Sequence, residues 1–273
     1  MTVLNSTHDI AVVDDVVIKR FTSWNRGEAP REWRGLALLD RFAPGLAPRP
    51  IEAALEAEPP EVTMSRIDGS PLRGTVVSRP AIRALARALS TVHDAVPSSI
   101  LNEVPVGAWT ATRVDAHVRE RMTELPDTLC PLAARAALTA GKQWLMGTSL
   151  KAVSTPDAIV PVFGLTDGNI ANYLYDGSTV RLLDFEDSGR SDRAFELAEI
   201  AGHPSTWVDS TFNVDYFLSQ FDLAEAEQAR VQYLRRLNAL LWLDGLLADN
   251  EPSHRNPPGA ALRQADRVLA LLG

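Results

Sequence analysis

The stretch that most restricts this chain is residues 164–192, GLTDGNIANYLYDGSTVRLLDFEDSGRSD. Two apolar runs, Tyr173 to Tyr175 and Val180 to Leu183, flank Asp176-Gly177, a dipeptide that favours the left-handed backbone of a tight hairpin turn. The stretch is therefore expected to be a β-hairpin. Its two open ends then lie side by side: Asp167, Asn169 and Asn172 before the first strand, Asp184, Glu186 and Asp187 after the second. Carboxylates brought that close repel, so the cluster needs a cation, basic side chains or water to compensate it.

The sequence around this hairpin divides in texture. Short strand-like runs occupy 2–4, 10–13 and 16–21, with Asp14-Asp15 as the turn between the last two, and further strands are expected at 51–57 and 61–67. Between them, PREWRGLALLDRFA at 30–43 spaces Trp33, Leu36, Leu39 and Phe42 three apart behind an early proline, the pattern of an amphipathic helix. Asp68-Gly69-Ser70-Pro71 reads as a turn or linker. From Ser78 onward the pattern is helical, at 78–96 and at about 109–124, 131–148, 192–203, 211–220, 223–248 and 259–272. The expected fold is α+β, with a β-rich N-terminal part at 1–69 and a mainly α part at 70–273 that carries the hairpin.

At 273 residues, 45% hydrophobic and 23% charged, the chain can bury a sizeable core. The formal charge of −8 argues against a nucleic-acid partner and favours a cationic or neutral small molecule. The lone Cys130 excludes an internal disulfide or a multi-cysteine metal site, reads as a small buried apolar residue, and fits a reducing cytoplasm. LNALLWLDGLL at 237–247 is interrupted by Asp244 and is too short to span a bilayer.

Basic residues are nearly all arginine, the lysines being Lys19, Lys142 and Lys151. Lys19 ends the strand-like VVIK, and Glu32 on the following helix is a candidate carboxylate to hold it. A strand lysine paired with a helix glutamate is one half of a kinase grip on nucleotide phosphates. Asp167 and Asn172 stand in the spacing D-x-x-x-x-N, and Asp184 follows in LLDFE. Phosphoryl transfer needs a carboxylate to take the hydroxyl proton and oxygen ligands for Mg²⁺, and these residue types suit those tasks. The acids Asp244, Asp249 and Glu251 read as a solvated helix end or as part of a substrate cleft. His93 reads as a packed or capping residue, and His8 falls in no metal-ligand spacing.

VVIKRF, REWRGLALLDRFAPGLAPRP, MSRIDG, the helix ending in ALSTVHD, TDGNIAN and LLDFEDSGRSDRAFELAE, in this order, resemble the aminoglycoside phosphotransferase family of the protein-kinase-like superfamily. The resemblance implies a two-lobed kinase-like fold and transfer of the γ-phosphoryl group of ATP or GTP to a small-molecule hydroxyl. It favours an aminoglycoside-like or other antibiotic acceptor; an amino alcohol, sugar or nucleoside is the alternative. It implies Asp167 as the catalytic base, Asn172 and Asp184 as Mg²⁺ ligands, and Lys19 paired with Glu32 on the phosphates. It also implies a hinge at MSRIDG, where the Ser65 carbonyl and the Ile67 N–H meet the purine, and Asp192 as an acid bracing the catalytic loop.

Three departures accompany the likeness. Leu165-Thr166-Asp167 replaces the usual His-Gly-Asp, so altered loop packing is expected. Asn5-Ser6-Thr7-His8 replaces a glycine-rich loop, with Ser6 and Thr7 left to contact phosphate oxygens. Glu196 stands where an aspartate is commoner. These changes keep a nucleotide-binding pseudokinase open as an alternative.

Overall fold

The computed structural model describes residues 8–22, 26–124, 132–248 and 257–273. The calls on strand 2–4, on Ser6 and Thr7, and on Cys130, Asp249 and Glu251 lie outside the described residues.

The N-terminal strands form one antiparallel sheet in the order β1-β2-β4-β3: β1 Asp9–Val13, β2 Val16–Arg20, β3 Pro50–Ala54 and β4 Glu61–Ser65. Val13 pairs with Val16 across Asp14-Asp15, and Asp14 takes the left-handed backbone (φ 52°) that so tight a turn demands. Helix α1, Glu28–Phe42, buries Leu36 and Leu39. Gly35 permits its docking, because a Cβ there would sit 2.7 Å from Phe185 Cβ. The loop after the hairpin is thereby pressed onto α1, far away in sequence.

The expected linker at 68–71 is a strand. Ser70–Pro71 (β5) pairs antiparallel with β7, Tyr173–Tyr175, whose other edge pairs with β8, Val180–Leu182. Composition pointed to a turn, but tertiary pairing with the hairpin overrides local preference. The hairpin itself forms with a longer loop than expected: Tyr175 pairs with Val180, leaving Asp176–Thr179 as the connection. Its organiser is the Asp176 carboxylate, which accepts from Ser178 N, Ser178 Oγ, Thr179 N and Thr179 Oγ1 at 2.8–2.9 Å.

A second small ladder, β6 Pro161–Gly164 with β9 Gly189–Asp192, was not expected; it ties the two ends of the hairpin segment together. The helices are α2 Arg79–Ala95, α3 Ser98–Leu101, α4 Ala111–Glu124, α5 Leu132–Gly147, α6 Arg193–Gly202, α7 Val214–Leu218, α8 Glu225–Ala248 and α9 Ala260–Leu272. Ser78 caps α2 by accepting from Ala81 N, and Ile82, Leu85, Leu89 and Val92 form its buried face, as the pattern anticipated. His93, on the same helix, is packed inside. The helix expected at 211–220 shrinks to α7, because Thr211 pairs its N–H and carbonyl with Thr75 and Val77 instead.

Two apolar clusters result. One joins α1, the N-terminal sheet, α2 and the hairpin; the other joins α4, α5, α6, α8 and α9. The hairpin's open end belongs to the first, through Leu165, Ile170 and Phe185. Among the described residues no helix is long and apolar enough to cross a membrane.

Candidate active site

β2 ends by turning Lys19 inward, where its Nζ meets Glu32 Oε2 of α1 at 3.2 Å, Asp184 Oδ1 at 2.5 Å and Glu186 Oε2 at 2.7 Å. His8 Nε2 approaches the same Glu186 oxygen at 3.0 Å. Burial works to lower the Lys19 ammonium's pKa, but Asp184, Glu32 and Glu186 outweigh it and raise the pKa well above the ordinary value. Glu32 shows the opposing balance: burial pushes it up to about 7 against the pull of Lys19. Glu186, despite its burial, is held down to about 2 by His8 and Lys19.

Asp167 lies across the hairpin's mouth from this cluster. Its Oδ1 accepts from Asn169 N at 2.9 Å and its Oδ2 from Asn172 Nδ2 at 2.8 Å, so the D-x-x-x-x-N spacing closes a local ring. Among the described residues no lysine or arginine pairs with it. Burial, then the Asp184 charge, pushes Asp167 up to about 7 in spite of those two hydrogen bonds. Asp187 is likewise raised, to about 6, by burial and by Glu186, with Arg31 Nη2 only 3.6 Å away opposing the shift.

The loop carrying Asp167 is held under strain. Thr166 has φ 54°, in the left-handed region that a β-branched residue disfavours most; Asp184, after the second hairpin strand, has φ 68°, which an aspartate tolerates better. Thr166 is anchored by Oγ1 donating to the Asp187 carbonyl at 2.7 Å and by its N–H donating to Glu196 Oε2 at 3.2 Å. Gly168 is obligatory, since a Cβ there would collide with the Glu199 backbone of α6.

Glu196 is therefore the acid that braces this loop, which corrects the expectation for Asp192. Asp192 instead caps α6 by accepting from Phe195 N, and it takes a two-point contact from Arg230 of α8, at 3.2 and 2.9 Å. Leu165 is buried among the apolar residues of the first cluster. Asp244 is bound by Arg121 at 2.9 and 3.1 Å, which makes it an interhelical tie between α4 and α8.

Sequence reasoning missed His203. It follows α6 and brings Nε2 to 3.9 Å from Asp167 Oδ1. Ser205 N donates to His203 Nδ1 at 3.1 Å, and Ser205 Oγ lies 2.7 Å from the same nitrogen while accepting from Ile170 N. With Nδ1 so occupied as acceptor, the ring proton belongs on Nε2, facing Asp167. Burial, then Arg73, lowers His203 to about 3, so the ring is neutral. Trp242 of α8 packs edge-on against it, with centroids 4.6 Å apart. The available signal was the pair His203-Pro204 directly after an amphipathic helix, which marks a fixed turn without saying what it faces.

At the expected hinge, Ser65 donates its N–H to the Arg49 carbonyl and Arg66 donates to the Asp15 carbonyl, while the Ile67 N–H has no backbone partner among the described residues.

A strand lysine held by a helix glutamate, set beside a strained loop with a recessed aspartate, is the arrangement of a kinase-like phosphotransferase. The chain belongs to the phosphotransferase enzyme family, whose model matches residues 10–234. Solved structures agree in fold. A choline/ethanolamine kinase family protein from Mesorhizobium loti matches with TM-score 0.67 and 15% identity, over 100% of this chain and 87% of that one. Spectinomycin phosphotransferase in complex with ADP and spectinomycin matches with TM-score 0.64 and 11% identity, over 98% and 89%. Choline kinase from Streptococcus pneumoniae matches with TM-score 0.63 and 14% identity, over 100% and 91%. No curated protein matches the sequence.

Proposed function

We propose that this enzyme transfers the γ-phosphoryl group of ATP or GTP to a hydroxyl of a small molecule, an antibiotic or a hydroxylated metabolite, in the cytoplasm. Asp167 accepts the hydroxyl proton as the oxygen attacks phosphorus, and the nucleoside diphosphate leaves. The observation that carries this reading is the environment of Asp167: about a third exposed, unpaired with any lysine or arginine among the described residues, and pushed up to about 7 by partial burial and by the Asp184 charge. A base whose pKa lies near neutrality is both ionised and able to take a proton at working pH.

Lys19, kept in place by Glu32, contacts the nucleotide phosphates, with Ser6 and Thr7 on the same phosphates. The Ser65 carbonyl and Ile67 N–H meet the purine edge. The donors present fit Mg²⁺. Asp184 supplies a carboxylate that is about a third exposed, and Asn172, because its Nδ2 donates to Asp167, keeps Oδ1 as its ligating atom. Glu32, Asp184 and Glu186 bring carboxylate oxygens within 4.8 Å of one another around Lys19 Nζ, whose single positive charge leaves a net negative charge beside Asp184. When bound, Mg²⁺ neutralises charge on the transferring phosphates. Asp184 and Asn172 would hold it, and Lys19 sets where Asp184 lies.

The test is mass spectrometry of hydroxylated antibiotics, amino alcohols, sugars and nucleosides incubated with the protein, Mg²⁺ and ATP or GTP. A phosphoryl mass gain is expected, reduced roughly 10²–10⁴-fold in Asp167→Ala, the usual worth of a positioned base. Equal turnover in the variant would remove Asp167 from the chemistry. Binding of Mg-nucleotide with no transfer to any acceptor would favour a pseudokinase.

A further inference from the structure

The helical side of the site carries a charge opposite to that of the hairpin. Trp207, four residues beyond His203, has the Arg263 and Arg267 guanidinium carbons of α9 each 5.2 Å from its ring centroid. Among the described residues neither arginine has an ion pair. Arg267 is half-buried, and its guanidinium pKa is lowered by burial and then by the like charge of Arg235 on α8. Arg235 has one carboxylate near it, Asp215 at 4.0 Å, whose side chain is 93% exposed. Arg236 donates Nε to the Leu271 carbonyl. Of the other acids on this side, Asp209 is occupied by Arg73 at 2.8 Å, and Glu199 is raised to about 8 by burial, which leaves it neutral.

A second observation points the same way. The Trp207 and Trp242 Nε1–H groups are buried and meet no acceptor among the described residues, whereas the buried Asn238 amide lies against Glu199 and Gly202 of α6. An indole N–H can only donate. Arg235, Asn238 and Trp242 follow one another at three- and four-residue steps, hence on one face of α8, and Trp242 touches the histidine that faces Asp167. The two indole donors and the Arg263 and Arg267 guanidinium groups thus lie on the His203 side of the proposed base, and the carboxylates nearest them in the helices, Asp215 and Asp266, are exposed and form no ion pair with Arg263 or Arg267 among the described residues.

We propose that the acceptor is an anionic small molecule, bearing a carboxylate or a phosphate monoester, whose acid group is held by Arg267, Arg263 and Arg235 beside Trp207 while its hydroxyl reaches Asp167. This rests on the phosphotransferase reading above and selects within it. A polycationic aminoglycoside would meet like charges on this wall, whereas guanidinium forks match carboxylate and phosphate oxygens.

The experiment uses four matched three-carbon alcohols, glycerate, glycerol phosphate, glycerol and 2-amino-1,3-propanediol, titrated calorimetrically into the full chain saturated with Mg-ADP. Glycerate or glycerol phosphate should bind at least tenfold tighter than glycerol and the amine, and the comparison of the two identifies the acid group. Arg263→Gln with Arg267→Gln should erase that preference while leaving Mg-ADP affinity unchanged. Tighter binding of the amine, no preference in the parent, or a preference that survives the double substitution would overturn the assignment. Failure of the parent to bind Mg-ADP would instead count against the phosphotransferase reading, independently of the arginines.

Discussion

The two ends of the hairpin carry the same chemical group in opposite surroundings. At one end Asp184 touches Lys19 at 2.5 Å, with Glu32 and Glu186 on the same ammonium; at the other, Asp167 has two amide donors, a neutral histidine at 3.9 Å and, among the described residues, no lysine or arginine. Burial and a neighbouring negative charge push the second up to about 7. One fold can therefore offer a carboxylate committed to cations and another free to take a proton, because environment rather than residue type separates the roles.

Lys19 offers the largest way to break this difference. Lys19→Met leaves Glu32, Glu186 and Asp184 without their shared cation, and breaking a buried pair by removing one partner costs about 3–5 kcal/mol. The sign with pH follows from Glu32, whose folded pKa is already raised to about 7. Without the ammonium it rises further, so the folded state binds more protons than the unfolded one, and stability is lost as pH rises above about 4.5 through the new folded value. The parent's Glu32 loses the same stability up to about pH 7, so urea unfolding should show the variant's deficit growing as pH rises above about 7. A deficit that is constant with pH would mean that the three carboxylates are not coupled through Lys19.

A smaller effect is expected at Thr166, which carries the strained backbone into Asp167. Thr166→Val keeps the β-branched side chain at φ 54° but deletes the hydroxyl that donates to the Asp187 carbonyl, for an expected loss of about 1–3 kcal/mol. Thr166→Gly loses the same hydrogen bond while relieving backbone strain of a similar order, about 1–3 kcal/mol. The glycine variant should therefore unfold close to the parent in urea, and the valine variant well below it. If glycine is as damaging as valine, the hydroxyl alone holds the loop and the strain is immaterial.

The same contrast explains what could be read from the chain in advance. The Lys19 end was legible because its parts are local signals: VVIK on a strand, a carboxylate on the next helix, and LLDFE after an alternating run. The hairpin strands and the faces of α1 and α2 were legible from periodicity. The Asp167 end is completed by long-range packing instead. His203 reaches Asp167 only because Gly168 lets the loop lie on α6, and Glu196 rather than Asp192 supports Thr166 because of where the helix starts. Ser70–Pro71 reads as a turn and becomes a strand because the hairpin edge needs a partner. Such contacts leave no spacing in the sequence. The arginines of α8 and α9 likewise read as ordinary solvated helix charges until the fold sets them around Trp207.

His203 permits the finest adjustment of the comparison. A neutral imidazole with its proton on Nε2 presents the positive end of an N–H dipole to Asp167 Oδ1, which favours the carboxylate form. Removing it in His203→Ala should raise the Asp167 pKa further. The rate should depend on ionised Asp167, so kcat/KM of the free enzyme is expected to rise with pH through about 7 in the parent and through a higher value in the variant. An interaction worth about 1 kcal/mol corresponds to roughly a fivefold loss below the parent's midpoint, and the two profiles converge at alkaline pH, where both carboxylates are ionised. His203→Gln, which keeps an N–H donor, should move the profile back toward the parent. A loss of equal size at every pH would assign His203 to packing against Trp242 alone, and Asp167 would then owe its ionisation solely to Asn172, the Asn169 N–H and the cations bound at the other end of the hairpin.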